Sequence, residues 1–173
     1  YHMHSANNYF PQRAVRNNRY KLIESLLPGE AHPDYGPTFS KIVKEAGLSS
    51  KGPPLDPHAA VAAAAPEVRG GYQRMSQPPR FELYDLKDDP YEFHNLASAP
   101  EHAGTLRALR QELAVWRRKT GDPLLNVENL RRLAAEVRSV KSKKAARKRP
   151  WRYPGYFFGN TPAPASRRTQ TVP

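Results

Sequence analysis

The chain has 173 residues, with 28 Lys and Arg against 16 Asp and Glu and a net charge of +12; that length suits one domain, with or without a tail. It has no cysteine, which excludes a disulfide frame, a thiolate metal site and a cysteine nucleophile and leaves the redox compartment open. No stretch reaches the roughly 20 apolar residues that cross a bilayer, and the opening YHMHSANNYF lacks the charged start and apolar run of a signal peptide.

The charge is unevenly placed. From Arg138 onward there are ten basic residues and no Asp or Glu, so the first 137 residues are nearly neutral and the basicity belongs to the end. A chain that opens on Tyr1 in an extended pattern is expected to be a piece of a longer protein.

Residues 9–24, YFPQRAVRNNRYKLIE, read as a β-hairpin. Asn17-Asn18 is the expected turn, since Asn tolerates the positive φ of a two-residue type I′ turn. That register sets Val15 opposite Tyr20 and Arg13 opposite Leu22. Period 2 then places Arg13 on the core face with Val15, Tyr20 and Leu22. A cation there needs a carboxylate or several carbonyls; Arg13 makes a structural salt bridge, snorkels to solvent, or points into a cleft shared with another domain. Arg16 and Arg19 are expected to be solvated.

Thr38 to Gly47 reads as a short helix, capped by Thr38 and ended by Gly47. Residues 48–79, rich in Pro, Gly and Ala, read as a long surface loop; a helical turn in the Ala run is the alternative, disfavoured because a run flanked by prolines nucleates poorly. The stretch FELYDLKDDPYEFHNL, Phe81 to Leu96, begins as a strand with Phe81 and Leu83 on one face and Glu82 and Tyr84 on the other. Asp88-Asp89-Pro90 then forces a turn, and Tyr91, Phe93 and Leu96 are expected to anchor the loop.

Ser98 and Glu101 have capping-box spacing, with Pro100 between them. The helix that follows carries Leu106, Leu109, Leu113 and Trp116 on one stripe, has Arg117, Arg118 and Lys119 at its negative end, and stops at Gly121 and Pro123. A further helix from about Val127 has Leu130, Leu133, Ala134, Val137 and Val140 at helical spacing. The end, KSKKAARKR followed by PWRYPGYFFGNTPAP, has no period. Its prolines and unpaired cations predict disorder over residues 141–173, the alternative being that Trp151, Tyr156, Phe157 and Phe158 dock back on a bare sheet face.

Several blocks then appear in an informative order. They are Tyr9-Phe10-Pro11-Gln12-Arg13-Ala14-Val15-Arg16, then Arg19-Tyr20-Lys21-Leu22-Ile23 and Pro37-Thr38-Phe39, then Glu82-Leu83-Tyr84-Asp85 with Asp89-Pro90-x-Glu92-x-x-Asn95-Leu96. Leu106, Leu109, Leu113, Trp116, Thr120, Asp122 and Pro123 complete the set. Together they resemble the C-terminal end of the sulfatase family, nearest its heparan N-sulfatase (sulfamidase) branch, over about residues 4–125. Gln12 and Asn7-Asn8 depart from that branch, where Met and Thr-Met are usual.

The resemblance implies an α+β subdomain over residues 1–125, a small antiparallel sheet packed against a C-terminal helix. An extra helix at 126–140 and the basic tail at 141–173 follow it. Tyr84, Asp85, Asp89, Pro90, Glu92, Asn95 and Leu96 are its structural signature. His4 and Arg13 are the candidates for walling a substrate cleft.

Sulfatases of this kind use a formylglycine made from Cys or Ser in a Cys/Ser-x-Pro-x-Arg motif, together with calcium held by Asp, Asn or Gln. The hard cation and basic groups hold the sulfate oxygens while a diol oxygen attacks sulfur. No Cys is available for that motif, and Ser98-Ala99-Pro100-Glu101-His102 lacks its Arg. Asp88-Asp89 reads as a turn rather than a metal pair, and the six histidines are too scattered for a metal site. Calcium and formylglycine are therefore expected in a separate N-terminal catalytic domain that acts on a sulfated saccharide, this chain being inactive alone. A typical parent enzyme would be periplasmic, extracellular or lysosomal. The alternative reading is a polyanion or nucleic-acid binder, in which KSKKAARKR supplies charge and Trp151, Tyr153, Tyr156 and Phe157 supply stacking rings.

Overall fold

A computed structural model describes residues 9–32, 57–140 and 150–159. Strands β1 (Gln12–Arg16), β2 (Tyr20–Ser25) and β3 (Phe81–Asp85) form an antiparallel sheet in that order. The helices are α1 (Pro57–Ala63), α2 (Pro66–Ser76), α3 (Ala103–Lys119), α4 (Val127–Arg138) and α5 (Tyr153–Phe158). Sheet and helices give the expected α+β class. The expected helix at Thr38 to Gly47 lies outside the described residues.

The hairpin pairs two places away from the expected register. Val15 faces Leu22 and Arg13 faces Glu24. The turn is centred on Asn18-Arg19 rather than Asn17-Asn18, with the Asn17 amide donating to the Tyr20 carbonyl at 2.9 Å. Asn17 works through its side chain instead of a positive φ. Its Oδ1 accepts from the Arg19 and Tyr20 amides at 2.9 and 2.7 Å, an Asx turn. A two-place shift preserves parity, so the faces stay as expected.

One sheet face closes on α3. Leu22, Leu83, Leu109 and Leu113 are essentially buried, with Val15, Tyr20, Phe81, Leu96 and Leu106 packed around them. The α3 stripe ends differently from expectation. Trp116 is 52% exposed, whereas Arg117 is buried. Leu109, Leu113 and Arg117 recur every four residues and share one side, which turns Trp116 outward. The helix also lacks a capping box. Pro100–His102 forms a 3₁₀ turn ahead of it, and neither this turn nor α3 has a side-chain cap.

The other sheet face is covered by a segment that composition alone assigns to a loop. Within 48–79, Pro57 and Pro66 open α1 and α2, where a missing N–H is harmless and a fixed φ favours helix. Glu67 in the first turn and Arg74 in the last complement the α2 dipole. Gly71, Arg74 and Met75 of α2 meet Ile23, Glu82 and Tyr84 around a cavity of about 230 Å³. The chain leaving β2 is tied to the exit of α2, with the Gly29 amide on the Pro78 carbonyl at 2.9 Å and the His32 amide on the Met75 carbonyl at 2.7 Å.

A second core gathers Leu124, Leu130, Leu133 and Val137 with Tyr9, Leu26, Leu27, Trp151, Tyr153, Tyr156 and Phe157. Residues 150–159, part of the stretch expected to be disordered, pack here. The rings have apolar surface to cover, and the buried Glu136 carboxylate fixes them, taking the Arg152 amide at 2.6 Å and the Tyr156 hydroxyl at 2.9 Å. Residues 141–149 and 160–173 lie outside the described part. None of the described helices is long and apolar enough to cross a membrane.

Candidate functional site

The end of α3 organises the most connected polar cluster. Gly121 takes φ 61°. Its amide reaches the Arg118 carbonyl at 3.1 Å and the Asp122 amide reaches the Arg117 carbonyl at 2.9 Å. This double bond pattern is a Schellman termination, and the positive φ is why glycine stands there. It delivers Asp122 to the start of the 3₁₀ turn Pro123–Leu125, where the carboxylate accepts from the Leu124 amide at 3.1 Å.

Two guanidiniums close on that carboxylate. Arg13 Nε and Nη2 donate to Asp122 Oδ2 and Oδ1 at 2.8 and 2.7 Å, a two-point fork. Arg117 Nε donates to Asp122 Oδ2 at 2.8 Å, Nη1 to Glu24 Oε2 at 3.1 Å and Nη2 to the Leu124 carbonyl at 3.1 Å. The Asp122 side chain is 2% exposed and that of Arg13 12%, so the fork is largely removed from solvent. Beside it lies a cavity of about 410 Å³ lined by Arg13, Trp116, Thr120, Asp122, Pro123 and Phe158. Its rim combines the Arg13–Asp122 ion pair with two half-exposed rings, groups that suit a polar ligand with flat apolar faces.

The signature residues form a separate unit at the other end of β3. Asp85 is gripped by Arg19, Nη2 to Oδ2 at 2.7 Å, and accepts from the Lys87 amide at 3.2 Å. The Arg19 bond, aided by that amide, holds the Asp85 carboxyl below its ordinary value. Arg19, expected to be solvated, is half exposed and paired. Asp89 accepts from the Phe93 and His94 amides at 3.0 and 2.7 Å. Burial pushes its pKa up, but those amides outweigh it and the net shift is downward.

Pro90 is exposed in the turn that Asp89 closes. Glu92 adopts φ 60° and clasps Lys21 Nζ at 2.7 and 2.8 Å. Asn95 copies a strand partner, its Oδ1 taking the Leu83 amide at 2.9 Å and its Nδ2 giving to the Phe81 carbonyl at 3.2 Å. Leu96 adds a backbone bond to Leu83 at 2.8 Å and packs in the first core. Tyr91 and Phe93, the other expected anchors, are 78% and 37% exposed, because Asp89 and Asn95 fix the loop through polar bonds. Tyr84 donates to Glu82 on the opposite sheet face, and burial followed by that bond raises its pKa.

Arg13 and the signature residues are thus in two places, and His4 lies outside the described residues. Sequence reasoning demanded a carboxylate or carbonyls for Arg13 but did not select Asp122, which is 109 positions away. The usable signal was Gly121-Asp122-Pro123, a helix stop joined to an Asx cap. Among the described residues no group of three His, Cys, Asp or Glu could hold a metal ion. The oxygens of Asp85, Asp89 and Asp122 are already taken by guanidiniums or amides, so these carboxylates do not fit a calcium site.

No protein-family model matches the chain. It is 30% identical to N-sulphoglucosamine sulphohydrolase of Homo sapiens over 125 residues, 69% of this chain and 22% of that protein. It is 31% identical to an ulvan-active sulfatase of Formosa agariphila over 115 residues, 66% of this chain and 19% of the relative. A second ulvan-active sulfatase of that organism is 32% identical over 116 residues, covering 64% and 17%. The chain therefore spans about a fifth of the length of the curated relatives it matches.

Proposed function

From its membership of the sulfatase family, as a C-terminal subdomain matched over about two thirds of the chain, we propose that this protein supports a sulfatase catalytic domain and walls its substrate cleft. The supporting observation is the Arg13–Asp122 fork at the edge of the Trp116 and Phe158 cavity. A guanidinium held in place before a ligand arrives presents a cation at little cost in ordering entropy. Arg13 is the residue we assign to this wall, with His4 as its second candidate.

The chemistry itself belongs to the partner. Calcium and formylglycine belong to the catalytic domain in this reading: the chain has no Cys, and its Ser-x-Pro-x-Arg run, Ser76-Gln77-Pro78-Pro79-Arg80, closes α2, where the Ser76 hydroxyl donates to the Gln73 carbonyl at 2.9 Å. The substrate class is a sulfated saccharide, as an ester or an N-sulfate, the sulfamidase-like branch being favoured by the Tyr9–Arg16 block. The signature unit supplies rigidity, and its exposed Tyr91 and Phe93 are the surface offered to the catalytic domain.

Polyanion binding by the tail has less to work with than its composition suggests. Trp151, Tyr153, Tyr156 and Phe157 pack in the second core, so that reading rests on residues 141–149 and 160–173. The test is sulfate release from an aryl sulfate and from an N-sulfated glucosamine by the isolated chain, with and without calcium. No turnover is expected, and turnover that co-purifies with the chain would overturn the supporting role.

A further inference from the structure

A second groove lies between β3 and α3. Arg80 at the start of β3, Arg107 and Arg110 on α3, and the buried Arg117 face a cavity of about 440 Å³ floored by Phe81 and Leu113. Glu24 is the one carboxylate in its lining. That carboxylate is already committed to Arg117 at 3.1 Å, and Arg80 reaches it only at 3.5 Å. Arg110 has no carboxylate partner among the described residues, its guanidinium carbon sitting 4.3 Å from the centre of the Phe81 ring. Arg80 lies over the same ring at 5.3 Å. Arg107 is one turn before Arg110, exposed, and without an ion pair among the described residues.

Of the four guanidiniums, Arg117 is matched by Asp122 at 2.8 Å and Glu24 at 3.1 Å, so Arg80, Arg107 and Arg110 leave the positive field of this concave site, where field lines are focused. The Phe81 ring restrains two of the four, so less side-chain freedom is lost when a ligand binds. The planar N–H fork of arginine matches the paired oxygens of sulfate or phosphate. The volume falls in the range of small-ligand pockets. We propose that the groove formed by Arg80, Arg107 and Arg110 over Phe81 binds the oxyanion of a sulfate or phosphate ester. This inference stands on the groove alone and does not rest on the cleft role of Arg13.

The test titrates the full chain with inorganic sulfate and, separately, inorganic phosphate at constant ionic strength against chloride, followed by amide NMR. Saturable shifts are expected at residues 80–81 and 107–111. Arg107→Ala with Arg110→Ala should weaken binding about tenfold or more, since charge-assisted bonds are lost. Arg118→Ala with Lys119→Ala removes the same charge from α3 outside the groove and should leave the affinity within about twofold. Both double variants replace exposed side chains, and circular dichroism checks that they stay folded. Tighter binding of one anion names the source chemistry, and equal binding supports the shared oxyanion site. Absence of saturable shifts, retention of binding in the groove variant, or equal loss in both variants would overturn the proposal.

Discussion

Arg13 on the edge strand and Asp122 beyond the last turn of α3, 109 positions apart, meet through two nearly parallel N–H···O bonds of 2.8 and 2.7 Å. This fork joins the hairpin to the junction between the two cores. Asp122→Ala would leave Arg13 and the buried Arg117 without their shared anion. The expected loss is about 3–5 kcal/mol of stability, read by urea unfolding. Asp122→Asn keeps some acceptor capacity and should lose less. A loss below about 1 kcal/mol for the alanine variant would mean that solvent screens the fork.

Leu109 and Trp116 should behave oppositely although both belong to one apparent apolar stripe. Leu109→Ala or Leu113→Ala removes a fully buried side chain and should cost about 2–5 kcal/mol. Trp116→Ala, at a half-exposed position, should cost less than about 1 kcal/mol. Comparable losses would place Trp116 in the core.

The pattern rules carried the sheet faces and the α3 packing, since alternation and four-residue spacing are local properties. They mislaid the hairpin register because Asn17 can serve a turn by its φ or by its carboxamide, and only the paired strands decide which. The helices that Pro57 and Pro66 open were hidden for a similar reason, as proline both ends one helix and opens another. Arg117 was assigned to the dipole of α3, yet its buried role depends on Glu24 and Asp122, which only the fold brings together. For the candidate site, the demand of Arg13 for an anion was legible and the identity of that anion was not.

Deleting residues 141–173 tests the second core. The docked rings cover Leu133 and Val137, and their loss would strand the Glu136 carboxylate that now accepts from Arg152 and Tyr156. The melting temperature should fall by roughly 4–12 °C, from a loss of about 2–3 kcal/mol at roughly 2–4 °C each. An unchanged value would show that Tyr153–Phe158 does not contribute to the core.

Stability should decline at both pH extremes for identifiable reasons. The carboxyl of Asp89 is lowered from 3.8, so its contribution is complete above that value and is lost as pH falls through the lower folded one. Asp89→Asn should flatten this acid limb. Burial, reinforced by the Glu30 charge, pushes Tyr9 from 10.0 up to about 12. Unfolded Tyr9 then ionises first, and stability present below pH 10 is lost between about 10 and 12. The Tyr9 hydroxyl is buried with no hydrogen-bond partner among the described residues. Tyr9→Phe should therefore remove the alkaline loss and change neutral stability by no more than about 1 kcal/mol, in the favourable direction. A destabilised Phe variant would reveal a partner for that hydroxyl.

The supporting role is tested most directly in a chimera. The whole chain would replace the corresponding C-terminal region of a related full-length sulfatase, and sulfate release would be measured beside the same enzyme truncated before that region. The account predicts that the chimera recovers activity the truncated enzyme lacks. It also predicts that Arg13→Ala in the chimera raises KM several-fold with kcat less affected, as expected when a group binds substrate without taking part in the reaction. A folded chimera no more active than the truncated enzyme, or one in which Arg13→Ala leaves KM unchanged, would contradict it.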